Sequence, residues 1–393
     1  MIIKTSLLSI LAFISFSHAG ENLIIPPPNG TYGVNVETMN LIDHSRQDPF
    51  APHPTPRSLM ISIFYPSALA CECQTELKPY MPPQTAQYIN TEFSASGLPN
   101  DTLANVALSM CVPDDEITRQ TGEFPIILFS PGFSASRYIY SMILQSIASE
   151  GFVVISTDHP FDTDIIEYPH GDDAVLATLT LNATDEQFGM YTRVRADDIS
   201  FLLDALGGSR NTSALPCPLP PSLNTSRVAM LGHSLGGATT ALAMARDPRI
   251  LGGMNLDGTM WDSIHDSSTI GFTLAKPLVL FLEAANMNTP DGDYKNWYAQ
   301  FWPSLAWKLQ LELRNSTHFT FTDFPVLVER LVGFPLPDAV AGVLGSVAGK
   351  DVLRTLTAYM AALARMVLEC TPSALLQRPS EDFPGVLYSN FLA

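Results

Sequence analysis

The residues best suited to chemistry form the hexapeptide 232–237, Gly-His-Ser-Leu-Gly-Gly, which matches the pattern G-x-S-x-G. An apolar run, 228–231, precedes it and an Ala-rich stretch, 238–246, follows it. This strand–turn–helix setting is the one that a nucleophile elbow requires. Glycine is needed on both sides of the serine because a Cβ there would collide with neighbouring backbone. The pattern therefore predicts that Ser234 is a nucleophile, held above a sheet at the positive end of a helix.

A serine hydroxyl is a weak nucleophile, so it needs a base, and the base needs an acid that holds it. In chains with this elbow the order along the sequence is serine, acid, histidine. Only His265 and His318 follow Ser234. His265 comes before the strong apolar run 277–282, too early to close a sheet, whereas His318 follows the strand-like segment 307–313. We therefore predict His318 as the base and a surface-loop position for His265.

The residues alone leave the acid open. Asp257 and Glu283 each lie at the end of a predicted strand after the serine, and either strand end can reach the base. Asp158 also ends a predicted strand, but it precedes the serine and is therefore in the wrong order. We expect Asp158 to cap a loop, and we keep both Asp257 and Glu283 as candidates at this point.

An oxyanion formed by attack on a carbonyl needs two backbone N–H groups aimed at it. One should come from Leu235, directly after the nucleophile, and the other from the loop after the apolar run 124–129. That loop reads Ser130-Pro131-Gly132-Phe133. Pro131 has no N–H, so we predict Phe133 as the second donor, with Ser134 as the next candidate.

Strand-like and helical segments alternate along most of the chain. Strands are predicted at 59–65, 124–129, 152–156, 228–231, 253–256, 277–282 and 307–313. Helices are predicted at 138–150, 193–206, 238–246, 294–303 and 351–369. Such alternation predicts an α/β fold whose largely parallel central sheet is covered by helices on both faces.

The first 19 residues predict a secretory signal peptide. Lys4 supplies the positive charge, 7–16 is a short apolar run, and Ser17-His18-Ala19 is a small-x-small cleavage site. No other run of eighteen apolar residues exists, so we expect no transmembrane segment. We further expect an N-terminal arm at 20–57 and one catalytic domain at 58–393. Surface insertions are expected at 67–122, 160–190 and 207–226.

Composition limits the partners. Apolar residues make up 46% and charged residues 15% of the chain, which excludes a disordered protein. A net charge of −18 disfavours nucleic acids and anionic membranes as partners, so any peripheral lipid contact must be apolar. Residues 326–349 could provide such a contact, although a pair of core helices is the interpretation we favour.

Secretion is consistent with the sequons and the cysteines. Six N-x-[ST] sequons start at Asn29, Asn100, Asn182, Asn211, Asn224 and Asn315. Five cysteines are present: Cys71, Cys73, Cys111, Cys217 and Cys370. In an oxidising compartment we expect two disulfides and one free thiol, with the pairing undetermined. The Cys-x-Cys pair lacks a second close pair and a nearby histidine, so we expect no metal site.

Several segments resemble the platelet-activating factor acetylhydrolase family of plasma and fungal type, over roughly residues 58–330. They are 129–133 (Phe-Ser-Pro-Gly-Phe), 147–154 (Ile-Ala-Ser-Glu-Gly-Phe-Val-Val), 232–234, 256–258 (Leu-Asp-Gly) and 316–324 (Ser-Thr-His-Phe-Thr-Phe-Thr-Asp-Phe). The resemblance implies an α/β-hydrolase fold, calcium-independent ester cleavage without a cofactor, and an acid after the strand that follows the nucleophile helix. Carried onto this sequence, that acid is Asp257, and the oxyanion donors are Phe133 and Leu235.

The function expected from this resemblance is a secreted serine esterase that cleaves short acyl groups from 1-alkyl-2-acetylglycerophosphocholine-type phospholipids. One departure from the plasma enzymes concerns the substrate. They have His-Gly before the oxyanion donor, whereas Pro131-Gly132 here is similar to cutinase-like and bacterial polyester hydrolases. A cutinase-like polyester hydrolase or general carboxylesterase is therefore the alternative. An alternative of another class is a catalytically silent hydrolase fold that only binds, but such proteins typically lose the serine or histidine.

Overall fold

The structure, a computed structural model, describes residues 23–94, 101–119, 121–169, 174–208, 215, 219–220, 222–260, 276–283, 302 and 305–389. The strands are β1 (Leu23–Ile25), β2 (Tyr32–Gln47), β3 (Pro56–Leu69), β4 (Thr75–Pro79), β5 (Val106–Cys111), β6 (Ile126–Ser130), β7 (Val153–Asp158), β8 (Ile165–Ile166), β9 (Val175–Leu176), β10 (Val228–His233), β11 (Ile250–Leu256), β12 (Leu278–Glu283), β13 (Lys308–Leu313) and β14 (Val386–Ser389). The α-helices are α1 (Pro83–Ser94), α2 (Asp115–Arg119), α3 (Ser141–Ala148), α4 (Asp185–Leu206), α5 (Leu235–Arg246), α6 (Phe324–Val332), α7 (Asp338–Leu344) and α8 (Gly349–Leu368).

Nine of these strands form the central sheet, in the order β14-β13-β12-β11-β10-β6-β7-β3-β2. The inner strands, from β13 to β7, are parallel to their neighbours. The pairs β2–β3, β3–β7 and β13–β14 at the two sides are antiparallel. The predicted fold class is therefore confirmed, and the ends of β6, β10, β11 and β12 meet at one edge of the sheet.

The two faces of the sheet carry separate apolar cores, as the alternation of side chains along a strand requires. On β6, Ile127 and Phe129 pack with α3 and α8 on one face. Ile126 and Leu128 pack with α4 and α5 on the other. Helices thus cover both faces, which explains why the inner strands are apolar along their whole length.

Residues 20–57 are not a separate arm, because β2 pairs along its length with β3 and forms one edge of the central sheet. The strand predicted at 59–65 does not stop before Pro66 either, because β3 continues to Leu69. The β2–β3 register shifts between Gly33 and Val34, the residue paired with Pro66. At such an irregularity a proline, which lacks an N–H, breaks no regular ladder bond.

The described part of 67–122, which was expected to be a surface insertion, folds into regular elements. It contains β4, α1, β5 and α2, and β1, β5 and β4 form a second sheet of three strands. A disulfide, Cys73–Cys111, joins this sheet to the chain that follows β3. Cys71 and Cys370 carry exposed free thiols, so the expected second disulfide is not present among the described cysteines.

Helix α4 begins eight residues before the predicted start at 193, inside the stretch 160–190 that was expected to be a loop. Its start is fixed by a capping box. The Thr184 side chain accepts from the backbone of Gln187, and the Gln187 side chain accepts from the backbone of Thr184. This T-x-x-Q pattern is a helix-start signal that was present in the sequence.

Residues 326–349 form most of α6 and α7 and the start of α8. Val328, Val340, Val343 and Leu344 are buried against one another, which supports the helix-pair interpretation over a lipid-facing element. In the described part of the chain, no helix is long and apolar enough to cross a bilayer.

Several predictions concern residues outside those described. They are the signal peptide 1–19, the sequons at Asn100 and Asn211, Cys217, the loop position of His265, and the helix 294–303 except for Trp302.

Candidate active site

Ser234 occupies a strained turn between β10 and α5. Its φ and ψ are 54° and −124°, in a region that non-glycine residues rarely adopt. A Cβ on Gly232 would overlap the carbonyl oxygen of Gly236, and a Cβ on Gly236 would overlap that of Ser130. Both glycines are therefore required, the first by the turn and the second because the end of β6 lies directly against the first turn of α5.

His318 is held by Asp257. It begins a short 3-10 turn, 318–321, and its Nδ1 lies 2.6 Å from Oδ2 of Asp257 at the end of β11. The other carboxylate oxygen, Oδ1, accepts from the N–H of Glu283 at 3.1 Å. Asp257 has a φ of 51°, so the chain turns sharply at the strand end. Ser234 and His318 line the same cavity, of about 140 Å³.

Of the two acids that the sequence left open, Asp257 contacts the imidazole through its side chain. Glu283 ends the neighbouring strand, β12, and its carboxyl group hydrogen-bonds with the backbone of His318. The parallel register of β11 and β12 brings both acids to the same edge of the sheet.

These charges shift the pKa values of the cluster. Burial acts to lower the pKa of His318, but the hydrogen bond and charge of Asp257, together with the charge of Glu283, raise it above its ordinary value. Burial and the charge of Asp257 raise the pKa of Glu283 to about 7, against an opposing effect of His318. Within this cluster the pKa of Glu283 therefore lies near neutral pH, and that of His318 lies above its ordinary value.

Two backbone amides are candidates for an oxyanion site. Leu235 is the first residue of α5, so its N–H has no acceptor within the helix. In the loop after β6, the N–H of Gly132 donates to the hydroxyl of Tyr140 at 3.1 Å and is therefore occupied. Phe133, the next residue, lines the cavity together with Ser234.

His233 links the loop after β6 to the His318 turn, a role that the sequence did not indicate. Burial, with the charge of His318, holds the pKa of His233 well below its ordinary value, so the ring is neutral. Its Nε2 donates to the carbonyl oxygen of His318 at 3.0 Å. Its Nδ1 therefore accepts a hydrogen bond of 2.8 Å from the hydroxyl of Tyr140. The same hydroxyl accepts a hydrogen bond from the N–H of Gly132. This hydrogen-bonded chain fixes the spacing between two loops.

Asp323 anchors the His318 turn from the other side. Its buried carboxyl group accepts from the N–H groups of Met142 and Ile143, at the start of α3, and from the hydroxyl of Tyr80. Burial raises the pKa of Asp323 to about 8, against the lowering effect of these hydrogen bonds. The carboxyl group is therefore a cap that ties the turn to α3.

A second serine–histidine–aspartate series lies beneath the loop after β6. Nε2 of His159 lies 3.0 Å from Oγ of Ser130, and its Nδ1 lies 2.9 Å from Asp198. Burial and the charge of Arg195 lower the pKa of His159 to about 4, so the ring is neutral. All three residues of the series are fully buried, so the arrangement supports the loop and offers no room for a substrate.

Within the described residues, no group of three or more His, Cys, Asp or Glu side chains is placed to hold a metal ion. Asp158, expected to cap a loop, accepts from the backbone N–H of Arg137 and forms a buried ion pair with its side chain.

The chain is similar to several known proteins. The chain matches the family described as platelet-activating factor acetylhydrolase, isoform II, over residues 20–184 and 218–367. A probable 1-alkyl-2-acetylglycerophosphocholine esterase of Arthroderma benhamiae is 28% identical over 406 residues, covering 98% of each chain. The platelet-activating factor acetylhydrolase of Bos taurus is 28% identical over 239 residues, which cover 55% of this chain and 52% of the bovine one.

Among solved structures, a ferulic acid esterase from Streptomyces cinnamoneus matches with a TM-score of 0.72 and 28% identity, covering 93% of this chain and 99% of that one. The family match spans most of the sequence and includes the segments that form the elbow and the His318 turn. The chain therefore belongs to the platelet-activating factor acetylhydrolase, isoform II, family and is a carboxylic ester hydrolase with the α/β-hydrolase fold.

Proposed function

We propose that the chain is a secreted serine esterase that removes short acyl groups by way of an acyl-enzyme. Ser234 Oγ attacks the ester carbonyl while Nε2 of His318 takes its proton, and Asp257 stabilises the imidazolium. The amides of Phe133 and Leu235 stabilise the oxyanion. The alcohol leaves with the proton from His318. A water activated by the same imidazole then releases the acid.

The observation that carries this proposal is the hydrogen bond of 2.6 Å between His318 and Asp257, in a cavity that Ser234 also lines. An ionised carboxylate can only accept, so Nδ1 of His318 carries the proton in this bond. Nε2 is then the free acceptor that a serine nucleophile requires.

The substrate class that we propose is 1-alkyl-2-acetylglycerophosphocholine-type phospholipids. Its support is the similarity to the fungal protein, which covers nearly all of both chains, and to the bovine acetylhydrolase, which covers about half of each. The cavity is small and has an apolar wall that includes Ile139 and Phe319, which suits a short acyl group.

Two measurements on the purified protein test the proposal. A fluorophosphonate probe should add to Ser234, as shown by mass spectrometry of the labelled peptide, and Ser234→Ala should not be labelled. The native protein should also release acetate from a platelet-activating factor analogue. If the probe leaves Ser234 unmodified, the serine mechanism is wrong and the catalytically silent alternative gains support.

A general or cutinase-like carboxylesterase is a second candidate, favoured by the similarity to the ferulic acid esterase and by the Ser-Pro-Gly-Phe loop at 130–133. It keeps the same chemistry and changes only the substrate. Rapid clearance of a polyester emulsion or turnover of aryl esters, with slow acetate release from the phospholipid analogue, would favour this candidate.

Secretion is part of the proposal. Its support is the signal-like segment 1–19, the disulfide Cys73–Cys111 and the exposure of three sequon asparagines: Asn29, Asn182 and Asn224. Expression in a eukaryotic host should give a glycosylated protein in the medium whose N-terminus lies near residue 20. Retention of the full-length chain inside the cell would contradict it.

A further inference from the structure

One buried arginine holds the loop after β6 from behind. Arg195 lies on α4 and is 1% exposed. Its Nη1 donates to the carbonyl oxygen of Pro131 at 2.6 Å, and its Nη2 donates to that of Gly132 at 3.0 Å. A longer contact of 3.4 Å joins Nη1 to Oγ of Ser130. All three oxygens belong to the segment that leads into Phe133.

Asp162 fixes the orientation of this arginine. Its two carboxylate oxygens accept from Nε of Arg195 at 2.7 Å and from Nη2 at 2.6 Å. A guanidinium has five N–H donors in a rigid plane. The two bonds to Asp162 and the three to the loop use all of them, so the guanidinium has one orientation and its charge is neutralised within the core.

The orientation of the two loop peptides follows from these bonds. In a planar trans peptide the C=O and the N–H point in opposite directions. The Pro131 carbonyl faces Arg195, and the N–H of the same peptide, on Gly132, points the other way, to Tyr140. By the same rule, the Gly132 carbonyl faces Arg195, so the N–H of Phe133 points away from Arg195.

This part of the loop lies beside the nucleophile. Gly132 and Phe133 line the cavity that contains Ser234, and a Cβ on Gly132 would lie 3.4 Å from the Cβ of Ser234. A hydrogen bond to a carbonyl also polarises its peptide and makes the N–H of that peptide a better donor. The guanidinium therefore both aims and strengthens the Phe133 amide.

We propose that Arg195, held by Asp162, is a positioning residue that aims the Phe133 amide at the oxyanion formed on Ser234. This inference rests on the proposed function. Lysine cannot replace arginine here, because an ammonium has three donors and no planar fork with which to hold two adjacent carbonyls and a carboxylate.

The test compares Arg195→Lys with the native enzyme on a short p-nitrophenyl ester. Loss of one oxyanion donor lowers kcat by about 10²–10³, so a misaimed donor should lower kcat by about 10- to 100-fold while KM changes by less than about threefold. A trifluoromethyl ketone gives a second readout. Ser234 Oγ adds to its carbonyl carbon, the hydroxyl proton passes to His318, and the carbonyl oxygen becomes the oxyanion. Its inhibition constant should rise by the same factor as kcat falls.

An ether analogue of the substrate, which forms no oxyanion, should bind both proteins equally. The matched control is Arg57→Lys. Arg57 is equally buried and makes the same two-bond contact with Asp198, at 3.0 and 2.7 Å. It donates to none of the loop oxygens and reaches the loop only indirectly, through Asp198, His159 and the Ser130 side chain. Its kcat should remain within about twofold of the native value, and thermal unfolding should show a comparable loss of stability in the two variants.

A native kcat in Arg195→Lys would overturn the inference, and so would an equal loss of binding affinity for the ketone and the ether. If Arg195→Lys does not fold, Asp162→Asn replaces it in the test, because this variant keeps the guanidinium but weakens the contact that orients it. The inference then requires that Asp162→Asn weakens binding of the ketone and leaves binding of the ether unchanged. Failure of the proposed function is distinguishable, because the native protein itself would then not react with the fluorophosphonate at Ser234.

Discussion

The substitution Asp257→Asn preserves the shape of the side chain but leaves it one acceptor oxygen. In the native protein both carboxylate oxygens accept, from Nδ1 of His318 at 2.6 Å and from the N–H of Glu283 at 3.1 Å. The N–H of Glu283 belongs to β12 and cannot turn away. If the amide oxygen stays with it, the amide nitrogen faces Nδ1 of His318. Nε2 must then carry the ring proton, so it cannot accept the proton of Ser234.

The expected loss follows from this tautomer. Holding the imidazole in the wrong tautomer costs a serine hydrolase about 10⁴ in kcat, which is about 5.5 kcal/mol at 1.36 kcal/mol for each factor of ten. The loss should fall on kcat rather than on KM, because Asp257 lies behind the imidazole rather than against the substrate. The assay is steady-state hydrolysis of a short p-nitrophenyl ester at neutral pH, with the fold checked by circular dichroism.

Glu283→Gln is the matched control, since it makes the same change from acid to amide beside the same imidazole. Nδ1 of His318 keeps its partner, so kcat at the optimum should fall by less than about tenfold. Glu283 raises the pKa of His318, and the base works only when neutral. Removing that charge should therefore move the acid limb of kcat/KM to lower pH. An Asp257→Asn variant within tenfold of the native enzyme, or a larger loss in Glu283→Gln, would refute the assignment of Asp257.

Three further predictions concern parts of the molecule around the site. Tyr140→Phe removes a buried hydroxyl that bridges the N–H of Gly132 and the imidazole of His233. Each buried group left unpaired costs about 1–3 kcal/mol, so the free energy of unfolding should fall by about 3 kcal/mol. A loss below about 1 kcal/mol in urea denaturation would contradict the bridge. Replacing both Cys73 and Cys111 by serine opens a loop with a sequence separation of 38, which should cost about 4 kcal/mol on the chain-entropy account. A native midpoint of denaturation in this double variant would refute that estimate. Asn315 lies three residues before His318, so peptide mapping should find little glycan there, and full occupancy would count against crowding at the cavity.

The sequence predicted those site residues whose role depends on the conformation of the neighbouring backbone. The elbow at Ser234 needs glycine at fixed positions, and this requirement leaves a short pattern in a short stretch of chain. The buried parallel strands were readable for a similar reason, since strands covered on both faces are continuous apolar runs. Chain order then separated His318 from His265.

Contacts between residues far apart in the chain leave no short pattern in the sequence. The residues alone did not distinguish Asp257 from Glu283, because both end parallel strands. Only the tertiary structure shows which carboxylate turns toward the imidazole. Arg195 lies four residues before Ile199, on the apolar face of its helix, where an arginine is rarely fully buried unless it is paired. It is buried because Asp162, thirty-three residues away, and the loop after β6 together satisfy every one of its donors.

The edge strand β2 was missed for the same reason. Only one side of an edge strand pairs with the sheet, so its polar residues suggested an N-terminal arm until its partner, β3, was known. The sequence by itself predicted Ser234 as the nucleophile from the glycines beside it. It predicted His318 as the base from chain order, and the class of fold from the alternation of strands and helices. Only the tertiary structure shows the contact of Asp257 with the imidazole and the burial of Arg195 behind the loop, because charged groups enter a core only where distant partners converge on them.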